Sequence, residues 1–264
     1  ISPIRGSSGF IQIIQGTILS AERLSGIMNL ENESSGNIGF DISHAPEISM
    51  NNVHFRYRRD GKEVLNGINF KANGGEAVVI VGESGCGKTT ILKLLTREII
   101  PQSGDIRVNG LIIGDYNLQS LRSTIGFISQ DSFVFQNSIK GNIALSENPD
   151  LERVKKAARL ACLDEFVQSL PNGHDTVIGN EGYELSRGQI QRLIIARCIY
   201  KDPRIVLMDE GTSALDPKTE ATVLDNLREF LKNKTAIIIT HDIEAYRWAD
   251  KFYRMDNDGC LKEL

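Results

Sequence analysis

The 264-residue sequence contains no uninterrupted apolar run long enough to cross a bilayer and no stretch resembling a secretory signal. It has no basic excess. The net charge is −4, which argues against nucleic acid as the main partner. Cysteines are few, namely Cys86, Cys162, Cys198 and Cys260. None forms a CxxC pair and no histidine stands at metal-ligand spacing, so reduced thiols are expected and a zinc site is not. An initiator methionine is also missing: the chain begins at Ile1 and reads as a piece of a longer polypeptide. What is present is ordinary for a globular protein, 41% hydrophobic and 24% charged residues, in a length that suits one large domain with or without an extension.

Between Phe10 and Leu30 apolar residues recur at helical spacing, with Ile11, Ile14, Ile18, Ala21, Leu24 and Met28 on one face and Gln12, Gln15, Glu22 and Arg23 elsewhere. This predicts an amphipathic helix. A polar Gly/Ser/Asn-rich stretch from Glu31 to about Ser43 reads as a linker, and Pro46 marks the start of the main domain. The expected division is therefore 1–45 for helix and linker and 46–264 for the domain. Within the domain, the runs Ala77–Val81, Ile125–Ile128, Ile205–Met208 and Ala236–Ile239 are continuously apolar apart from Gly126. Such runs suit strands buried on both faces of a parallel sheet. Asn109-Gly110 between β-type runs signals a hairpin, hence an antiparallel portion as well. Residues from Ser138 to about Tyr200 read as mainly helical.

Gly82-Glu-Ser-Gly-Cys-Gly-Lys-Thr89 fits the phosphate-loop pattern G-x-x-x-x-G-K-[ST], follows an apolar strand and opens a helical run. Glycines let the backbone wrap an anion, and successive N–H groups at a helix start bind it. Gly82, Glu83, Ser84, Gly85, Cys86, Gly87, Lys88, Thr89 and Thr90 are thus candidate nucleotide-binding residues. Lys88 supplies charge to the β- and γ-phosphates and Thr89 a hydroxyl to Mg²⁺. Downstream, the apolar strand Ile205–Met208 ends in Asp209-Glu210. A carboxylate in that position, Asp209, holds Mg²⁺, and a second, Glu210, can orient or deprotonate the attacking water.

Leu185-Ser186-Arg187-Gly188-Gln189, followed by Gln191-Arg192, resembles the signature element of the ABC transporter superfamily, which separates its ATPases from other phosphate-loop enzymes. Ser186 and Gln189 also form an S-x-x-Q capping box ahead of a helical run. The resemblance extends from Ile48 to about Asp256 and implies further roles. Tyr57 would stack on adenine, with a strand aromatic in a small core as the alternative the residues also allow. Gln130 of Phe127-Ile-Ser-Gln130 would reach Mg²⁺ and water. Asp216 of Ser213-Ala-Leu-Asp216 matches the D-loop, and His241 the switch histidine near the γ-phosphate. Ser186, Gly188 and Gln189 would meet ATP held by a second copy.

Two positions depart from the family pattern. Arg187 stands where Gly is usual, and Gly211 where exporters usually have Ala. The stretch Leu170-Pro-Asn-Gly through Gly182 and the segment Ser20-Ala-Glu-Arg23 resemble those of exporters in which membrane domain and cassette share one polypeptide.

The resemblance implies an α/β fold: a RecA-like phosphate-loop core, an antiparallel β portion and a helical subdomain at about 131–200. The expected activity is Mg-dependent ATP hydrolysis by a head-to-tail cassette dimer on the cytoplasmic face of a membrane, powering export through a membrane-spanning domain. The alternative is a soluble ABC ATPase acting on DNA or ribosomes. Too few residues separate Gln130 from Leu185 for the coiled coil of the DNA-repair type, and a single cassette is present where the ribosomal type has two.

Overall fold

The computed structural model describes residues 2–29, 33–41, 43–58, 60–129, 133–179 and 182–264. It divides into two compact units, 1–34 and 35–264. The first consists of helix α1 (Ser2–Met28), longer at its start than the apolar periodicity alone predicts. Ile14, Ile18, Leu24 and Met28 are exposed on it. Among the described residues, no helix is long and apolar enough to cross a membrane.

The second unit contains three sheets. Strands β1 (Ile48–Phe55), β2 (Leu65–Ala72), β4 (Ser103–Val108) and β5 (Leu111–Ile112) form an antiparallel sheet in the order β2-β1-β4-β5. The turn between β4 and β5 is the expected Asn109-Gly110 pair, with φ of 49° and 79°, as a type I′ hairpin requires. The central sheet takes β3 (Ala77–Gly82), β6 (Ile125–Ser129), β9 (Ile205–Asp209), β10 (Thr235–Ile239), β11 (Lys251–Met255) and β12 (Leu261–Glu263), in the order β12-β11-β3-β10-β9-β6. All its pairings are parallel except β11 with β12. Every residue of β10 is buried, as are Ala77–Val81 and Ile205–Met208, which explains why these strands read as unbroken apolar runs.

Helices α2 (Lys88–Leu95), α3 (Leu118–Thr124), α4 (Ile139–Ala144), α5 (Leu151–Leu160), α6 (Asp164–Ser169), α7 (Arg187–Lys201) and α8 (Pro217–Leu231) complete the unit. Between β6 and α7 the described residues carry α4, α5 and α6 together with the two-stranded pair β7 (Asn137–Ser138) with β8 (Val177–Ile178). Two apolar clusters hold the unit together. One joins α4 to α8 to one face of the central sheet; the other joins the antiparallel sheet and α2 to the opposite face. The four cysteines are free thiols, and burial pushes that of Cys198 up to about 12.

Residues 35–45 pack on the second unit, although their composition reads as linker. Gly36 and Ile38 donate backbone hydrogen bonds to Tyr116 O and Asp115 O, both 3.1 Å, and Asn117 N–H returns one to Ile38 O at 2.7 Å. The rings of Phe40 and Tyr116 lie 5.0 Å apart, and Ser35 Oγ accepts from Leu118 N–H at the start of α3.

Candidate active site

The candidate residues assemble at the C-terminal ends of the adjacent parallel strands β3, β10 and β9, where open α/β sheets bind ligands. β3 leads into the phosphate loop. Gly87 precedes α2 with φ of 112°, and a Cβ there would lie 2.8 Å from Met255 Cε and 3.0 Å from Val64 O. Only glycine meets both demands. No side chain caps α2, so its first N–H groups face the loop. Lys88 is buried, and its ammonium donates to the carbonyls of Gly82 and Glu83, each at 2.7 Å. Cys86, also buried, places its sulfur 3.9 Å from that ammonium. Glu83 Oε2 accepts from Asn257 Nδ2 at 2.7 Å, while Ser84 and Gly85 are exposed at the loop's tip.

β9 ends in the paired carboxylates. Thr89 Oγ1 donates to Asp209 Oδ2 at 2.7 Å, bringing two hard oxygens together across the sheet. Among the described residues no group of three or more His, Cys, Asp or Glu could hold a metal by itself. The Thr89–Asp209 pair instead fits a magnesium ion, which keeps waters and phosphate oxygens and asks for only one or two protein oxygens. Glu210 adopts φ of 49°, uncommon for a residue with a side chain, and its Oε1 lies 2.5 Å from His241 Nε2 beyond β10. Gly211 follows. A Cβ there would lie 2.5 Å from Met208 Cγ and 2.8 Å from Ile128 Cγ2, so this departure from the family pattern leaves room for the Met208 side chain.

Tyr57 is 56% exposed, which removes the core alternative. Its hydroxyl lies 3.1 Å from Thr90 Oγ1 on α2, and its ring meets Phe55 edge-on at 4.9 Å. Gln102 steadies the approach: its amide accepts from Arg56 N–H at 2.8 Å and donates to Arg56 O at 2.9 Å.

The signature residues form a second group. Ser186 caps α7: its Oγ accepts from Gln189 N–H at 3.3 Å, and Gln189 Oε1 accepts from Ser186 N–H at 2.8 Å, the predicted capping box. Arg187 is exposed at the first position of α7, and Gly188 lies against Ala214 O. Asp216 caps α8 by accepting from Thr219 N–H at 3.1 Å, and the Thr219 hydroxyl and N–H hold its carboxyl below the usual range. Gln130 falls outside the described residues.

The structure thus joins Lys88, Thr89, Asp209, Glu210 and His241 in one cluster. It ties the signature helix to that cluster through Gln191, which the sequence reading used as part of the family pattern and to which it gave no role in the site. Gln191 Nε2 donates to Glu210 O at 3.0 Å, and its Oε1 accepts from Ala214 N–H at 2.7 Å. The available signal was a polar residue on α7 two and three positions before Leu193 and Ile194, which are buried.

Comparison with known proteins agrees with this geometry. The sequence pattern of the family described as ABC transporter matches residues 65–213. An "ATP-dependent lipid A-core flippase" of Burkholderia pseudomallei (strain 1710b) is 39% identical over 265 residues, 99% of this chain and 44% of that protein. The "Alpha-hemolysin translocation ATP-binding protein HlyB" of Escherichia coli O157:H7 is 38% identical over 272 residues, covering 100% of this chain and 38% of its own length. A solved structure described as a bacterial Atm1-family ABC exporter with ATP bound superposes with a TM-score of 0.85 at 36% identity, over 95% of this chain and 44% of that one. The chain therefore spans less than half the length of these relatives.

Proposed function

The chain belongs to the ABC transporter family, with the fold of its ATP-hydrolysing cassette, and from that premise we propose that it is the motor of an exporter. The observation that carries this is the cluster at the ends of β3, β9 and β10: a phosphate loop with a buried lysine, a threonine-aspartate pair, and a glutamate held by a histidine. In this reading the uncapped start of α2 and Lys88 hold the β- and γ-phosphates of ATP, and the exposed face of Tyr57 stacks on adenine. Thr89, Asp209 and Gln130 hold Mg²⁺, which when bound neutralises charge on the β- and γ-phosphates. Glu210 takes the proton of the attacking water, and His241 orients the Glu210 carboxylate toward it.

Ser186, Gly188, Gln189 and Asp216 serve the opposite site of a head-to-tail dimer, so that each ATP is enclosed by two copies. ATP binding closes the pair and hydrolysis reopens it, a ligand-biased two-state element that drives a membrane domain. That domain belongs to the same full-length polypeptide, and the cassette works at the cytoplasmic face of the membrane. Relatives named for lipid A-core and for alpha-hemolysin share the cassette, so the cargo is chosen outside it.

The test is Glu210→Gln, which keeps shape and hydrogen bonding but cannot accept the proton. Hydrolysis should fall roughly 10²–10⁴-fold. Gel filtration with Mg-ATP should show a stable dimer for the variant and mainly monomer for the parent. Near-parent hydrolysis, or a variant monomeric at saturating Mg-ATP, refutes the role of Glu210 and the dimer built around it.

A further inference from the structure

Gln191 is only 3% exposed, a position an amide tolerates when both its ends are hydrogen-bonded. Its donor end reaches Glu210 O and its acceptor end Ala214 N–H. One side chain of α7 therefore spans the whole turn that carries Glu210. That turn needs holding, because the left-handed backbone at Glu210 is unfavourable for a residue with a side chain. Glu210 N–H donates to Ile239 O at 3.0 Å, and Ser213 N–H closes the turn on Glu210 O at 3.2 Å. Neither bond connects it to α7. Packing reinforces the connection that Gln191 makes: a Cβ on Gly188, one turn earlier on α7, would lie 3.2 Å from Ala214 O.

We infer that Gln191 is a positioning residue for hydrolysis: it makes the Glu210–Ala214 turn move as one body with the start of α7. Ser186 lies five positions before Gln191, about 7 Å along a helix. A displacement at the signature end, where the opposing ATP would bind, then reaches the carboxylate of the same chain. The inference rests on the reading of Glu210 as the base.

The two ends of the amide can be separated in the 264-residue chain. Gln191→Met keeps the volume and makes neither bond. Gln191→Glu, assayed at a pH where the new carboxyl is ionised, keeps the acceptor for Ala214 N–H and loses the donor to Glu210 O. For Gln191→Met, kcat should fall roughly tenfold or more, the effect of losing a buried hydrogen-bonded pair, with Kd for ATP by calorimetry unchanged. Hydrogen exchange in the peptide containing Ala214 should also accelerate. For Gln191→Glu, exchange there should stay slow while kcat falls, and this variant carries the test should the first not accumulate. The inference is overturned by parent-like kcat in both variants, by unchanged exchange in Gln191→Met, or by kcat, ATP affinity and melting temperature falling together, which would mark a packing residue. Failure of the underlying reading is distinguishable: Glu210→Gln would then hydrolyse ATP at the parent rate, while exchange at Ala214 would still report the clamp.

Discussion

The helix starts of α2 and α7, both candidates for phosphate, are built in opposite ways. α2 begins without a side-chain cap, behind Gly87, with its donors facing the loop and a buried lysine beside them. α7 begins with its cap complete, Ser186 and Gln189 satisfying each other's backbone, and with Arg187 exposed. The first suits an anion gripped from within one chain. The second is stable by itself, and in the proposed dimer it would engage a ligand brought by another copy without first unfolding its own start. On that proposal, tight binding in cis and reversible closure in trans would follow from the difference.

Removing Lys88 should have the largest effect. Lys88→Ala deletes a charge-assisted contact worth about 1.5–3 kcal/mol, so Kd for ATP should rise roughly 10- to 100-fold in calorimetry. Unchanged affinity would break the comparison outright. Next, Tyr57→Ala should weaken ATP binding by about 1–3 kcal/mol through lost stacking, while the melting temperature of the nucleotide-free protein barely moves, because the ring is largely exposed. A large drop in melting temperature would show that the ring supports the fold.

Ser186→Ala sharpens the other half. Losing the cap should cost about 1 kcal/mol of stability, read by denaturant unfolding. Mg-ATP-dependent dimerisation in the Glu210→Gln background should weaken, and ATP affinity of the monomer should stay as it was. Lower monomer affinity would mean the two helix starts are not divided between chains.

The smallest effect concerns His174, in the helical segment between α6 and β8, whose Nε2 has no hydrogen-bond partner. Burial holds its imidazole below the usual value of 6.5, with Lys155 acting in the same direction and Asp164 and Asp175 opposing. The folded state therefore binds this proton less readily than the unfolded chain. The stability so gained is complete above pH 6.5 and is lost as pH falls below it. His174→Gln should show a smaller drop in melting temperature between pH 7.5 and 5.5 than the parent, and an equal drop would remove the assignment.

What the sequence made legible was either local or periodic. The strands Ile205–Met208 and Ala236–Ile239 could be read because burial on both faces leaves an unbroken apolar run. The Ser186–Gln189 box spans four residues, and Asn109-Gly110 is its own turn. The phosphate loop is likewise contiguous. Gln191 could not be read as a site residue, since its partners lie far along the chain and its own surroundings show only a polar position on a helix. Residues 35–41 have the composition of a linker, because they are attached by backbone hydrogen bonds, two serine hydroxyls and a single ring, which leave little trace in hydropathy. For Tyr57 the sequence also allows a core position, and the exposure of the ring, which argues against it, depends on the tertiary fold.

An alanine at 211 would drive its methyl into the Met208 side chain and Ile128 Cγ2, directly behind the strained turn that carries Glu210. Alanine at 211 therefore asks two neighbours to give way, and a smaller residue at 208 alone would leave the close approach to Ile128 in place. The side chains packed behind the turn set the size of the residue that can follow Glu210.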